Sequence, residues 1–570
     1  MNFLTCKNTV LKTLLLASVF TVGQINIAIG YAAELLPTNE QTSRQDILRG
    51  SITPERAWWD LGFYHLSVTV DPKTKSISGE NVITYRVLSN AKRLQVELQK
   101  PMKITKVVQN GKILQVDQDG YSYFIHIKDL QPIGSEQSIT LYFSGKPQIA
   151  KHAPWDGGIT WTKDDNGNDF IASSNQGIGA SIWWPNKDHG YDEPDNGVLI
   201  SVTVPEKLMD ISNGRLIKTE HNKKKHIKTY HWRVTQPINN YSVSFNIGDY
   251  VHFDQTYYGK TFKGENGPLD MDYYVLRDDL ANAQKQFTDV KRTIEALEYW
   301  FGPYPFYQDS YKLVQAPYLG MEHQSAVTYG NKFQNGYLGR DRSQAGPGML
   351  FDFIIVHESG HEWFANNVTA KDIADLWIHE GFTNYSESLF LEYHYDKATA
   401  FKYLRGQRLN IMNKTPIIGQ YNVNKEGSGD MYDKGGNMLH TIRQIINNDK
   451  KWRSILRGLN KVFYHQTVTS KQIEDYISKQ ANIDLGKVFD QYLRDIRIPS
   501  FEYFINDKVL KFRWGNTIKN FDMPLTVNIN GKRTELKPTT KWQTIKLNEA
   551  NNKLVVDANF YVSSLNILGD

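Results

Sequence analysis

The apolar residues of this chain change period twice, and no other feature limits its fold as strongly. From His65 to Val251 they alternate with polar residues in short runs: "HLSVTVDPKTKSISGENVITYRVLS", "SYFIHIKDL", "SITLYFSG", "VLISVTVPEKL", "IKTYHWRVTQP" and "YSVSFNIGDYV". A period of two predicts strands buried on one face, and Asp71-Pro72 predicts a turn joining the first two. Near Leu280 the spacing becomes helical. "LANAQKQFTDVKRTIEALEYWFG" keeps it as far as Gly302, ahead of Pro303, and "KWRSILRGLNKVF", "SKQIEDYISKQ" and "LGKVFDQYLRDI" follow. Alternation returns in "FEYFINDKVLKFRW" and "PLTVNINGKRTELKP", where Asn530-Gly531 signals a hairpin. At 570 residues the chain is too long for one core. The expected architecture is multidomain α+β: a β domain over 40–257, a mostly α domain over 258–498 and a small β domain over 499–570.

Residues 1–32 read as a separate element. Lys7 and Lys12 precede the apolar run "LLLASVFTV", and Gly30 and Ala32 supply small residues for cleavage. That pattern is a secretory signal peptide, which predicts a secreted or periplasmic protein with no stable membrane insertion after cleavage. An uncleaved membrane anchor is the alternative, since apolar character continues through "INIAIGYAA". The only cysteine, Cys6, falls within this segment, so any metal held by the rest of the chain must use His, Asp or Glu. A formal net charge of +5 is small for this length. The one basic run, "HNKKKHIK", reads as a solvated turn between strands, so no nucleic-acid partner is expected.

The stretch "VHESGHEWFA" places His357 and His361 four residues apart, on one face of a helix, where two imidazoles can converge on one zinc ion. Glu358 lies beside the first and can reach a water at the metal. A catalytic zinc site needs a third protein ligand and an open position. "DLWIHEGFTNYSESLF" supplies two candidates: Glu380, with 18 residues between it and His361, and His379, which points about 100° away from it on a helix. Glu380 is preferred. Glu387, seven residues on, returns to the Glu380 face, either to hydrogen-bond a ligand imidazole or as a surface acid.

"HESGHEW" followed by "WIHEGF" at this interval resembles the zinc aminopeptidases of the aminopeptidase N and leukotriene hydrolase family, the gluzincin metallopeptidases. The resemblance implies one Zn2+ per chain on His357, His361 and Glu380, with Glu358 as general base in a thermolysin-like catalytic domain. It also implies a β-sandwich-like C-terminal domain. "YLGMEHQSAV" is similar to the family's Gly-Ala/Gly-Met-Glu-Asn motif, whose glutamate binds the substrate's free α-amine, and so places that role on Glu322. Leu319 and His323 depart from the motif, which puts its contact with the substrate backbone in question. In "DMYDKGGNML", Tyr432 matches the tyrosine that stabilises the oxyanion. "NQGIGASIWWPNKD" resembles the segment whose glutamine also holds the amine, which points to Gln176, or else to a loop glutamine with a structural role. Glu380 is expected to touch the amine as well.

The expected function is therefore a zinc aminopeptidase acting on peptides with a free N-terminus. The alternatives are an open-cleft zinc endopeptidase or epoxide hydrolase, and a catalytically altered peptide-binding protein on the same scaffold. Large members of the family carry a further helical domain over the active site. The 570 residues leave no room for one, so a more open cleft is expected. Nothing in the pattern signals an oligomeric state.

Overall fold

The computed structural model describes residues 42–549 and 552–568. The signal-peptide reading of residues 1–32 and Cys6 lie outside them.

The first alternating run folds as the hairpin Trp59–Asp71 and Ser76–Val87, closed by Asp71, whose carboxylate accepts from Lys73 N and Thr74 Oγ1. Leu66, Val68 and Val70 point inward at every second position, and a bulge between Leu61 and Phe63 resets the alternation so that both Leu61 and Tyr64 are buried. This hairpin forms the middle of an eight-stranded sheet. Val198–Pro205 pairs parallel to Trp59–Asp71 on one side, and Glu136–Gly145 pairs antiparallel to Ser76–Val87 on the other. The basic run forms an exposed turn, residues 223–226, between the edge strand Arg215–Asn222 and its neighbour Ile227–Val234. A three-stranded and a four-stranded sheet complete a first hydrophobic core with Trp183, Trp184 and Trp232 at full burial.

The strand Tyr250–Lys260, which crosses the expected boundary at 257/258, opens a five-stranded mixed sheet. Asn266–Leu276, Tyr311–Gln315, Val327–Tyr329 and the edge strand Gly320–Met321 follow in that order across it. The helix expected from Leu280 to Phe301 is broken in two at Phe287, whose φ of −74° and ψ of 1° leave helical geometry. The reason is packing: the Phe287 ring is driven into the sheet against Phe253, Tyr273 and Tyr329. Gly302, at φ 99°, ends the second piece ahead of Pro303.

Helices Phe353–Gly360, Trp377–His394, Lys397–Gln407 and Asp433–Ile446 pack beneath this sheet, with Asp449–Val462, Ser470–Ala481 and Gly486–Leu493 beyond them. The chain ends in a four-stranded and a three-stranded sheet. In the second, Ile529 pairs with Lys532 across Asn530-Gly531, both at positive φ as a type I′ turn requires. Phe501, Trp514 and Phe521 in this region share one continuous core with the helices.

The two cores meet along a polar seam. Asn366, 1% exposed, accepts through Oδ1 from Asn239 Nδ2 (3.1 Å) and Ser242 Oγ (3.0 Å), and donates through Nδ2 to the Glu322 carbonyl (2.9 Å). Asn213 Nδ2 donates to Gln324 O (2.7 Å), and Gly214 N to Ser325 Oγ (2.9 Å). The segment around Glu322 is thus held from the β side of the molecule. Asn366→Ala strands several buried polar groups at once, each costing about 1–3 kcal/mol. The expected result in thermal unfolding is a melting temperature lower by roughly 5 °C or more; an unchanged melting temperature would show that the seam contributes nothing to stability.

Candidate metal centre and substrate cleft

The helix Phe353–Gly360 begins at Asp352, whose Oδ1 accepts from Ile354 N and Ile355 N. His361 follows at its C-terminal end and is still near helical geometry (φ −64°, ψ −18°), so the four-residue spacing brings the two rings to a centroid distance of 5.0 Å at 83°. Glu380 comes from the first turn of Trp377–His394. Its Oε2 lies 3.3 Å from His361 Nε2 and 3.7 Å from His357 Nε2, and one ligand atom from each residue falls within 4.8 Å of the others. All three side chains are buried.

Each imidazole is oriented by its other nitrogen. His357 Nδ1 donates to Glu387 Oε1 (2.8 Å), and Glu387 Oε2 accepts in turn from Tyr403 Oη (2.6 Å) and Gln407 Nε2 (2.8 Å). Glu387 is fully buried, so of its two readings the surface acid is excluded. His361 Nδ1 donates to Phe364 O (3.0 Å). Both Nε2 atoms are left to face Glu380 Oε2, a buried oxygen without a hydrogen-bond donor. Two imidazole nitrogens and one carboxylate oxygen that converge within 4.8 Å of one another fit zinc. His379 is no rival: its Nε2 accepts from Ala370 N (2.7 Å), away from the group.

The edge strand Gly320–Met321 passes over the helix beside Glu358. A Cβ on Gly320 would stand 2.7 Å from Ile354 Cγ2 and 2.9 Å from Glu358 Oε1, so glycine is what permits the approach. Glu322 follows directly, 2% exposed, with Oε1 lacking any donor. The charges of His361 and Glu380 bear on it most strongly, and it faces the Tyr241 hydroxyl. Gln176 arrives from the β side and donates through Nε2 to Glu380 Oε1 (2.8 Å). The Tyr432 ring stacks 6.0 Å from that of His357 at 21°, held by a short turn that leads into Asp433–Ile446. His357, Glu358, His361, Glu380, Glu322, Gln176 and Tyr432 therefore lie together.

Two residues of the cleft escaped sequence reading. Tyr241 opens an alternating run in the sequence but folds in the short 3-10 turn Asn240–Ser242, and it carries no motif. Glu426 lies in the Gly- and Ser-rich stretch before Tyr432, where no periodicity marks it. The cleft is dominated by acids. Burial, with Glu380 beside it, pushes the Glu426 carboxyl up to about 7. Burial also pushes Glu358 up to about 7 and raises Glu322. Glu380 resists its own burial: His361 and His357 hold it well below the usual carboxylate range. Against burial, which disfavours charge, Glu380 and Glu387 pull His357 up to about 10. A region this rich in negative charge is built to receive cations.

If Glu387 orients His357, Glu387→Ala should weaken zinc binding about 10- to 100-fold with the fold intact. Glu380→Ala should abolish tight binding altogether. Zinc titration against a competing chelator checks both, and full occupancy in Glu380→Ala would remove it as a ligand.

Residues 286–492 match the model of the peptidase family M1 domain. Aminopeptidase N of Lactobacillus helveticus is 24% identical over 470 residues, covering 78% of this chain and 51% of the relative. Leukotriene A-4 hydrolase of Xenopus laevis is 21% identical over 455 residues, covering 75% of this chain and 68% of the relative. The chain spans about half the length of the former and 30% of mouse endoplasmic reticulum aminopeptidase 1. Among solved structures, an M1 zinc metallopeptidase from Deinococcus radiodurans superposes with a TM-score of 0.63 at 18% identity, over 77% of this chain and 95% of its own. Residues 286–492 are therefore similar to a peptidase family M1 domain, and the chain shares the fold of that metallopeptidase.

Proposed function

We propose that this chain is a zinc-dependent aminopeptidase that removes the N-terminal residue of peptides. The observation that carries the reading is Glu322: a buried carboxylate with an unpartnered oxygen, beside the His357–His361–Glu380 group. A substrate's α-ammonium fits that oxygen, and anchoring the amine there limits which peptide bond reaches the reacting centre. The carbonyl of Gln176 is left to accept a second ammonium hydrogen, since its Nε2 is engaged with Glu380. Zinc, when bound, supplies a Lewis acid for the scissile carbonyl and lowers the pKa of the attacking water. Glu358 takes that water's proton and returns it to the departing amine. The Tyr432 hydroxyl donates to the oxygen on which negative charge develops.

No helix of the described residues is long and apolar enough to cross a membrane. Residues 1–32 are read as a leader removed on export to the periplasm or medium. N-terminal sequencing of exported protein should then begin just after Ala32, and an intact Met1 in that fraction would refute the reading.

The aminopeptidase reading is tested with free and N-acetylated aminoacyl anilides. Wild type should cleave the free substrate and fail on the acetylated one, and Glu322→Ala should lose most of its activity on the free substrate while keeping zinc. Glu358→Gln should keep zinc and lose about 10²-fold or more in kcat. If wild type cleaved both substrates equally, an open-cleft endopeptidase would replace the reading.

A further inference from the structure

Glu426 has no part in the chemistry above, yet it lines the same cleft. A Cβ on Gly177, next to Gln176, would lie 4.0 Å from Glu426 Oε2. Among the described residues Glu380 is the charged group that bears on it, and both acids act on the Tyr432 hydroxyl. Among the described residues, no lysine or arginine is placed to neutralise it. Arg49, which holds the Gln176 loop through Ile178 O (2.5 Å), is paired with Asp188 at 3.1 Å, and the adjacent Lys425 reaches Asp46.

The carboxylate is also held on a rigid support. The backbone at Gly427 presses so closely on Ile417 that a Cβ there would stand 1.8 Å from the Ile417 carbonyl oxygen. Asn422 N donates to Asp372 Oδ2 (2.9 Å) and Asn424 N to Asp46 O (2.9 Å), while Asp430 accepts from Met412 N (2.8 Å) and Asn413 N (2.6 Å). A segment fixed at both ends in this way presents an acid to the cleft at a set position.

The cleft therefore offers two carboxylates that lack a cation, at separate points: Glu322, whose neighbours are His361 and Glu380, and Glu426, which meets Glu380 alone. A peptide beginning with lysine or arginine brings two positive charges, its α-ammonium and its side chain. Resting on the aminopeptidase reading, in which Glu322 takes the first, we infer that Glu426 takes the second and selects substrates whose N-terminal residue has a cationic side chain. An apolar N-terminal side chain would cover Glu426 without pairing it, so the same residue disfavours leucine as it favours lysine.

The test is kcat/KM of the zinc-loaded full chain on lysyl, arginyl and leucyl para-nitroanilides, for wild type and Glu426→Gln. Wild type should favour the lysyl and arginyl substrates. Glu426→Gln, which keeps shape and removes charge, should lower the lysyl-to-leucyl and arginyl-to-leucyl ratios about tenfold or more, the scale of a hydrogen bond to a charged group. Using ratios separates selectivity from any general loss through misfolding or lost zinc. Ratios that stay constant, whether activity falls in parallel or holds, overturn the role of Glu426 and leave the aminopeptidase reading standing. No turnover of any free aminoacyl anilide by zinc-loaded wild type overturns that reading, and this inference with it.

Discussion

Unbalanced negative charge in a buried cleft is the constraint around which this molecule is organised. Glu322, Glu358 and Glu380 are each less than a tenth exposed and converge from different elements, with the His357 and His361 imidazoles, among the described residues, as their nearby counter-charge. Isolated carboxylates in such a setting are costly unless neutralised or paired. Glu380 is the acid flanked by both imidazoles, and it is the one held in its charged form. The others are pushed toward neutrality until a cation arrives. A metal ion between the imidazoles and an ammonium beside Glu322 supply what the fold lacks, so binding of either should stabilise the folded chain.

Keeping those acids in place requires both hydrophobic cores. The helices supply His357, Glu358, His361 and Glu380, but Glu322 directly follows the edge strand Gly320–Met321, which pairs with only Val327–Tyr329. What fixes it is the seam: Asn366 holds the Glu322 carbonyl, and Asn239 and Ser242 hold Asn366. Gln176 crosses the same boundary to reach Glu380. A shift between the two cores would move Gln176 and Glu322 relative to the metal group, which couples packing at the seam to the geometry of the cleft.

The parts legible in the sequence are those where one local rule decides the outcome. His357 and His361 are set by helical spacing, and Glu380 over His379 by the same 100° rotation, which turns His379 to the Ala370 amide. The hairpin at Asn530-Gly531 follows from the positive φ its turn demands. Where tertiary packing decides, the pattern was silent or misleading. The apolar run through Phe287 suggested one helix, but the ring is worth more against Tyr273 and Tyr329 than in a continuous helix. Glu387 could not be told from a surface acid until Tyr403 and Gln407, on a later helix, were placed around it. Glu426 sits in a loop whose course depends on contacts with residues near 46, 372 and 417, and no period reports those.

The two departures from the glutamate motif, Leu319 and His323, flank the closest approach of that segment to Glu358. Leu319 stands where a glycine is usual, but its side chain packs on the main core and its carbonyl still accepts from Gly330 N (2.7 Å). The close contact with Glu358 falls on Gly320, which is retained. His323 stands where an asparagine is usual. It is fully buried, and burial lowers its imidazole to about 3, so it is neutral across the physiological range. A neutral imidazole adds no charge beside Glu322 and leaves the backbone turn intact, with Ala326 N donating to His323 O (2.9 Å). Leu319 and His323 thus leave the close approach at Gly320 and the backbone turn after Glu322 as they are, and neither adds charge beside that carboxylate.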